Sequence, residues 1–308
     1  MARRRILGLG GALAGPTAAA RARETDENAE ITILTRDARV AYAAAGLPYH
    51  LSGEVRAIES LDRERAVFFR RVYRIDVRSR TEAVAIDPVR RLLHVRRGGQ
   101  TKRLPYDALV FALGARPRPA EPSLAGTNVN SLRTIEHLQQ LEAELSRGGR
   151  RVAVIGGGLH GIAVMDGLVR AGAEAVLIER AADFLPQFGP QVTRLAHDAL
   201  ARRSTVLTGT RVERARSRRG RIESLELSGG RVLPVDFVVL TAGILPATDL
   251  LARAGAHLAP DGSAYVTERA ETSRAGIFAC GICVSVPHLW SGMHLWSAQG
   301  AIAGRNAI

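Results

Sequence analysis

The stretch from Arg151 to Arg180, RVAVIGGGLHGIAVMDGLVRAGAEAVLIER, decides the fold. It opens with a short apolar run that is typical of a buried parallel strand. Gly156, Gly158 and Gly161 follow in G-x-G-x-x-G spacing. The first glycine allows a tight turn, the second lets the backbone approach a pyrophosphate, and the third lets the next helix lie close to its strand. The spacing therefore predicts a dinucleotide site with a diphosphate at a helix N-terminus.

A helix, a second strand and an acid complete this unit. The pattern predicts a strand over 152–155, a helix over 162–170 and a second strand over 175–178. That strand ends on Glu179, close to the spacing of about 20 residues expected of the acid that binds a ribose diol. An acid there favours NADH over NADPH because it repels a 2′-phosphate, although Arg180 weakens the preference. The alternative is a glycine-rich turn in another α/β fold.

Composition and charge favour a globular protein of about two domains. The chain has 308 residues, of which 46% are hydrophobic and 24% charged. Its formal net charge of +13 comes from arginine, since Lys102 is the only lysine. Arginines cluster weakly, at 3–5 and at 214–221, and aromatic residues make up 5% of the chain. These features favour a solvated basic surface, with a polar hairpin tip at 214–220, over a nucleic-acid groove, so we expect no nucleic-acid partner.

The N-terminal segment admits two interpretations. RRRILGLGGALAGPTAAARA, which begins at Arg3, resembles a twin-arginine export signal. The same region also predicts a strand over 5–9, a glycine turn over 10–15, a helix over 16–24 and a strand over 31–34. One segment does not easily serve both purposes, so a folded βαβ unit and a cytoplasmic location are favoured. No run of eighteen apolar residues exists, so no membrane span is expected.

The N-terminal turn predicts a second and weaker nucleotide site. It keeps glycine at the first and third positions, but Ala12 occupies the middle one, where a methyl narrows the approach of backbone to phosphate. The second strand ends on Thr35 where an acid is expected, and a hydroxyl cannot offer a ribose diol a charged bidentate acceptor. Asp37 lies two residues further along and partly compensates if the strand continues.

Outside the two turns the chain resembles a known family. Residues 41–53, AYAAAGLPYHLSG, are similar to the S-Y-A-x-C-G-L-P-Y signature of coenzyme A disulfide reductases and related NADH oxidases and persulfide reductases, within the FAD-dependent pyridine nucleotide-disulfide oxidoreductases. Further motifs follow in the family's order: YDALVFALGARP at 106–117, LRT at 132–134, LTAG at 240–243 with Pro246, TSRAGIFACG at 272–281, and QG at 299–300. The resemblance covers nearly the whole chain and implies FAD and NAD(H) as cofactors.

The main departures from the family pattern concern the thiol and the flavin. Ala45 stands at the position of the family's active cysteine, and a methyl forms neither a thiolate nor a mixed disulfide. Ile282 replaces the acid that holds the flavin's ribityl chain in relatives, and Thr35 is a further lost acid. Between Trp296 and Gln299 the chain is several residues shorter than the family pattern. Each lost charged hydrogen bond costs about 1.5–3 kcal/mol, so NAD(H) is expected while retention of FAD stays open.

Smaller departures affect the second turn and the subunit arrangement. Leu159 stands where relatives often carry a gating tyrosine, and Ala163 replaces a glutamate. The sequence ends at Ile308, before the dimerisation domain of roughly a hundred residues that the resemblance implies. We therefore expect no two-subunit thiol site, and a second protein subunit is a possible partner besides the dinucleotide.

The predicted fold is α/β, with two Rossmann-like doubly wound domains. A NAD-type domain at 117–246 is inserted in a FAD-type domain formed by 1–116 and 247–308. The expected function is that of an FAD/NAD(H)-linked oxidoreductase that does not use the family's thiol. The alternative is a degenerate, cofactor-poor homologue that acts as a partner subunit or binds another small molecule in the former flavin cavity. The candidate cofactor-binding residues are Gly10, Gly11, Gly15, Thr35, Arg36, Gly114, Gly156, Gly158, Leu159, His160, Gly161, Glu179, Gly243, Gly281 and Ile282.

Several side chains near these motifs leave alternatives open. Cys280 and Cys283 form a C-x-x-C motif that suits a redox pair. Together with His288 and His294 they would also suit a metal site. Packing of the two cysteines in the core is favoured, and no metal is predicted. For His160 the two alternatives are a contact with a ligand and packing between the helix and the sheet. The two tryptophans, at 290 and 296, line the flavin cavity, cover a partner surface or belong to the core.

Overall fold

A computed structural model describes residues 3–61, 66–118, 124–185, 188–285 and 293–308. The described residues form two compact units. The first unit comprises those of Met1–Ala43, Asp62–Arg116 and Leu245–Ile308, and the second comprises those of Ala44–Leu61 and Pro117–Ile244. The predicted labels of FAD-type and NAD-type for the two parts of the chain stay predictions.

Helices and strands alternate along much of the chain. The helices are α1 (Ala14–Thr25), α2 (Leu47–Leu51), α3 (Ala66–Val72), α4 (Ile135–Ser146), α5 (Leu159–Arg170), α6 (Pro190–Ala201), α7 (Asp249–Arg253) and α8 (Met293–Asn306). The strands are β1 (Arg5–Leu9), β2 (Glu30–Leu34), β3 (Asp76–Arg78), β4 (Glu82–Asp87), β5 (Leu92–Arg97), β6 (Gln100–Pro105), β7 (Ala108–Phe111), β8 (Ala115–Pro117), β9 (Val129–Asn130), β10 (Arg151–Ile155), β11 (Glu174–Ile178), β12 (Thr205–Leu207), β13 (Val212–Arg218), β14 (Arg221–Leu227), β15 (Val232–Pro234), β16 (Phe237–Leu240), β17 (Ile244–Pro246) and β18 (Ile277–Ala279).

The first unit is built on a parallel sheet in the order β18-β7-β1-β2-β3. On one face α1 and α8 pack closely, because a Cβ on Gly300 or Gly304 would lie only 2.5 or 2.0 Å from the carbonyl oxygens of Ala14 and Ala18. The antiparallel sheet β4-β5-β6 contributes to the core on the other face. The predicted strand at 5–9 matches β1, and the predicted helix at 16–24 lies within α1.

The second unit repeats this plan with the parallel sheet β12-β11-β10-β16-β9. The antiparallel sheet β13-β14-β15 covers one face, with Ile222 and Leu225 buried in the core. The predicted hairpin tip at 214–220 is shorter than expected, since β13 continues to Arg218. The turn itself is Arg219–Gly220, and both residues have the positive φ that tight hairpin turns require.

The central strands of the two sheets begin with the same arginine–aspartate anchor. In β1, the N–H and guanidinium of Arg5 donate to the carboxylate of Asp107 at 2.8–3.2 Å. In β10, the N–H and guanidinium of Arg151 donate to Asp236 at 2.6–3.1 Å. The hydrogen bonds from Arg5 lower the pKa of Asp107. Burial raises the pKa of Asp236, but the bonds from Arg151 and Arg150 outweigh it and lower that pKa to about 2.

No helix in the described part of the chain is long and apolar enough to cross a membrane.

Candidate functional site

The glycine turn after β10 has the geometry that the sequence predicts. Gly156 adopts φ 114°, and its N–H donates to the carbonyl of Ile178 at 2.9 Å. A Cβ on Gly161 would lie 1.9 Å from the carbonyl oxygen of Gly156, so only glycine lets α5 approach β10 this closely. Gly158 faces open space among the described residues, because a Cβ there would meet none of their atoms within 4 Å. The turn is therefore tight where it meets the sheet and open where a ligand would approach.

The helix that follows the turn presents uncapped backbone. α5 begins at Leu159, three residues earlier than predicted, with Gly158 as N-cap and no side-chain cap. Leu159 is 60% exposed. The first N–H groups of a helix lack intrahelical partners, and they attract anions together with the helix dipole. This end of α5 can accept a diphosphate.

Glu179 is positioned directly beside this turn. Its Oε2 accepts the N–H of Gly157 at 2.6 Å, and its Oε1 accepts the N–H of Ala181 at 2.8 Å. The N–H of Glu179 donates to Leu207, so the residue continues the register of β11. The half-buried carboxylate is thereby held at the end of the strand, where it can accept from a ribose diol, and the neighbouring Arg180 is exposed.

A threonine that the sequence analysis did not single out ties the turn to the next strand. The hydroxyl of Thr241 donates to the carbonyls of Ile155 and Gly156, at 2.9 Å each. Gly243, two residues later, adopts φ 87°. The LTAG motif carried the signal for Thr241, because it places a hydroxyl at the end of β16 beside the turn.

His160 faces the interior of the second unit. Its Nε2 is buried and has no hydrogen-bond partner among the described residues. Burial lowers the pKa of His160 and the nearby charge of Arg133 lowers it further, while a hydrogen bond to the backbone of Leu132 partly opposes them. The imidazole is therefore neutral at pH 7. Its burial favours the packing interpretation over a ligand contact.

The turn after β1 has the same backbone. Gly10 adopts φ 107° and its N–H donates to Leu34 at 2.9 Å. A Cβ on Gly15 would lie 2.2 Å from the carbonyl oxygen of Gly10, so α1 and β1 approach as closely as α5 and β10. Ala12 occupies the position equivalent to Gly158, and it is exposed. The backbone fits a diphosphate, but the methyl of Ala12 stands at the open side of the turn.

Thr35 fills the space where the second turn holds Glu179. Thr35 is 3% exposed, and its side chain packs against Gly11. A Cβ added to Gly11 would lie only 2.8 Å from the Cβ of Thr35. Its hydroxyl accepts the N–H of Asp37 at 3.2 Å. Arg36 is exposed and lies 3.8 Å from the carboxylate of Asp37. The buried hydroxyl offers no charged acceptor for a ribose.

The segment after β18 completes the first turn's surroundings. The N–H of Gly281 donates to the side-chain oxygen of Gln299 at 2.9 Å, which links this segment to α8. Ile282 is half-buried and lies close to Gly114, which adopts φ 71°. A Cβ added to Gly114 would lie 3.7 Å from the Cγ2 methyl of Ile282. An apolar side chain thus occupies the position that the resemblance assigns to the acid for the ribityl chain.

Ala45 lies exposed in the short 3₁₀ turn that precedes α2. This turn and α2 belong to the second unit, where α2 packs against α5. A Cβ on Gly167 would lie 2.7 Å from the carbonyl oxygen of Pro48. His50 pairs with Glu142 at 3.4 Å. The position of the family's thiol is accessible, but the side chain there is a methyl.

The two cysteines are core residues. Both are fully buried and unpaired, Cys280 in the cluster beside α1 and α8 and Cys283 in the cluster on the other face of the first sheet. Burial raises the pKa of both thiols, to about 11 for Cys283. Across the described residues there is no group of three or more metal-ligating side chains. This arrangement favours packing over a redox pair.

Two histidines and two tryptophans are the remaining candidate side chains of the C-terminal region. His294 is exposed, and Trp296 packs half-buried against the core cluster beside α1 and α8. His288 and Trp290 lie outside the described residues.

Three comparisons relate this geometry to known proteins. Residues 5–298 match the family model described as pyridine nucleotide-disulphide oxidoreductase. An NADH oxidase from Methanocaldococcus jannaschii is 26% identical over 98% of this chain and 69% of its own length. A probable ferredoxin reductase from Castellaniella defragrans is 32% identical over 91% of this chain and 68% of its own length. The structure of a NAD-dependent persulfide reductase from A. fulgidus superimposes on this chain with a TM-score of 0.93 and 28% sequence identity. The superposition covers 98% of this chain and 59% of that protein.

Proposed function

Because the chain belongs to the pyridine nucleotide-disulphide oxidoreductase family, we propose that it binds NADH at the glycine turn of the second unit, accepts hydride from the nicotinamide, and delivers the electrons without a thiol at position 45. The single observation that carries this proposal is the intact set of parts at that turn. Gly158 faces open space, α5 begins there uncapped, and the carboxylate of Glu179 stands beside them.

The first unit supports FAD as the second cofactor only in part. The backbone of the turn at 10–15 fits a diphosphate as well as the other turn does. The sites for the ribose and the ribityl chain do not fit as well, because Thr35 and Ile282 stand where acids would accept hydrogen bonds. When bound, FAD would accept the hydride and pass electrons to the final acceptor. We propose that FAD binds more weakly than in relatives that keep both acids.

Two features of the chain argue against thiol chemistry. Ala45 cannot form a thiolate, and the only cysteines, Cys280 and Cys283, are buried with raised pKa values. The final acceptor must then react without a protein disulfide. Relatives named NADH oxidase and probable ferredoxin reductase suggest two such classes, a small oxidant and a redox protein.

An anaerobic titration tests this function. The purified chain is incubated with FAD and desalted, and NADH is then added while the visible absorption of flavin is recorded. We expect retained flavin absorption that NADH bleaches and that added ferricyanide restores, with both rates unchanged by treatment with iodoacetamide. Loss of the restored absorption after alkylation, with flavin still bound, would contradict the thiol-free delivery of electrons. Glu179→Gln should slow bleaching at low NADH without releasing flavin.

A second candidate is a cofactor-poor protein that acts as a partner subunit or binds another small molecule in the former flavin cavity. The buried Thr35 and the apolar Ile282 favour it, because both remove acceptors that FAD uses. Desalting separates the candidates, since this one predicts no retained chromophore.

We also propose a cytoplasmic location and a dinucleotide rather than a nucleic acid as the main partner. The residues that resemble an export signal build β1 and the first turns of α1. A second protein subunit stays part of the proposal, and size-exclusion chromatography with light scattering tests it.

A further inference from the structure

A pocket in the second unit lies at the carboxyl edge of its parallel sheet. Asn130 ends β9 and Leu240 ends β16, and both residues line the pocket together with Arg118. Open α/β sheets bind ligands in crevices outside the carboxyl ends of their strands. The pocket therefore has the position that such sheets use for ligands, but none of the glycines of the turn after β10 is among its described lining residues.

The size and lining of this pocket suit a small polar molecule. Its volume is about 280 Å³, just below the range of roughly 300–1,000 Å³ found for drug-sized ligands. Leu124 and Val129 form an apolar wall, while Arg118, Asn130 and Ser131 supply hydrogen-bond donors. Among the described lining residues the only charged side chain is that of Arg118, which attracts anions.

One of these donors is buried without a partner. The amide nitrogen of Asn130 has no hydrogen-bond partner among the described residues. Buried donors in proteins are normally satisfied by protein, water or ligand. Nearby Asn128 shows the usual case, since its amide donates to the carbonyls of Ile222 and Asp236 and accepts from Ile222. Unlike Asn128, Asn130 thus has an amide donor that no described residue satisfies and that a ligand can use.

Arg118 is positioned by the segment after β16. Its N–H donates to the carbonyl of Gly243 at 3.2 Å, and its side chain lies against the same residue, because a Cβ on Gly243 would be 3.3 Å from the Nε of Arg118. A larger residue at 243 would displace the arginine. The exposed guanidinium can offer two parallel N–H groups to a planar anion.

We propose that this pocket binds a small carboxylate. Arg118 would hold the carboxylate oxygens, Asn130 would donate its amide N–H to one of them, and the apolar wall would contact the carbon skeleton. A cation is disfavoured, since Arg118 repels it and no described lining residue is acidic. The proposal goes beyond the function above, because it requires neither FAD nor NADH.

Calorimetry with succinate and the full chain tests this site. We expect saturable binding that Arg118→Gln and Asn130→Asp each weaken by roughly tenfold or more. Arg214→Gln is the matched control, because Arg214 is an exposed arginine on β13 whose loss should leave the affinity unchanged.

A third variant keeps the test decisive if Asn130→Asp fails to fold. Asn130→Leu removes the unpartnered amide without adding charge, so it should fold at least as stably as the unaltered chain while losing succinate. Absence of saturable binding would overturn the proposal, as would equal affinity in Arg118→Gln and Arg214→Gln. So would a comparable loss in Gly158→Ala, which would place the anion at the dinucleotide turn instead.

Discussion

The two glycine turns share one backbone and differ in the side chains that meet the ligand. Gly10 and Gly156 adopt φ 107° and 114°, and each donates its N–H to the end of the neighbouring strand at 2.9 Å. At the position of the ribose acid, however, Glu179 presents a half-buried carboxylate and Thr35 a buried hydroxyl. The comparison teaches that a turn can keep its fold-forming glycines after its ligand-binding side chains have changed. The following predictions separate these two roles.

The largest effect should come from the glycine that lets each helix approach its strand. We expect Gly161→Ala to lower the free energy of unfolding by about 2–4 kcal/mol, because its Cβ would lie 1.9 Å from the carbonyl oxygen of Gly156. Gly15→Ala should behave alike in the first unit. Urea denaturation measures both, with Gly158→Ala as the control that should not unfold earlier. Equal stability of Gly161→Ala and Gly158→Ala would show that the close approach is not required.

The next effect concerns the acid that only the second turn keeps. Glu179→Gln should weaken NADH binding by roughly 10- to 100-fold, since it replaces a charged acceptor by a neutral amide. Thr35→Val should change FAD affinity much less, because Thr35 is already buried without charge. Fluorescence titration of NADH and of FAD measures these affinities. Glu179→Arg should reverse the preference toward NADPH, and an unchanged preference would count against the assignment.

A smaller effect is expected at the middle position of each turn. Gly158→Ala should weaken NADH binding about fivefold, because the added methyl narrows the approach of phosphate. Ala12→Gly is the reciprocal change and should strengthen FAD binding by a similar factor. Neither variant should alter the unfolding midpoint, since a Cβ at 158 meets no atom within 4 Å and Ala12 is exposed. The comparison of the two turns requires that Gly158→Ala weakens NADH binding and that Ala12→Gly strengthens FAD binding.

The smallest effect is a dependence of the free energy of unfolding on pH. It should come from His160 in the second turn, since the first turn has no histidine. Burial lowers the pKa of His160 below its ordinary 6.5, so the unfolded chain binds the proton more readily. The stability from this group is therefore present above pH 6.5 and is lost as the pH falls through the lowered pKa. Urea denaturation between pH 7.5 and 5 measures it. The decline should be smaller in His160→Gln, whereas an identical decline in both proteins would assign the effect elsewhere.

The fold could be predicted from the sequence because its strongest signals are local. A short apolar strand followed by spaced glycines leaves few conformations open, so β1, β10 and β11 lie within a residue of the predicted limits. The family and the α/β class are confirmed by the match over residues 5–298 and by the two parallel sheets. α5 begins earlier than predicted because Gly158 itself is the N-cap.

The features that could not be predicted depend on which side chains meet across the fold. The grouping of 44–61 with the second unit follows from packing of α2 on α5, which no local pattern encodes. The separation of Cys280 and Cys283 into different core clusters likewise requires coordinates. That no described residue accepts from the amide of Asn130 is invisible in the sequence, because an asparagine at the end of a strand is an ordinary turn residue.

The packing of α8 on α1 has a consequence for the order of folding during translation. Every residue of the second unit has been synthesised once the ribosome passes Ile244. The first unit must wait, because Ala14 and Ala18 of α1 meet Gly300 and Gly304 only when α8 emerges. A nascent chain therefore carries the first unit unfinished until α8 has been synthesised, and the small-residue face of α1 stays uncovered up to that point. A released chain that ends at residue 244 should protect the second unit from protease and leave the first unit open.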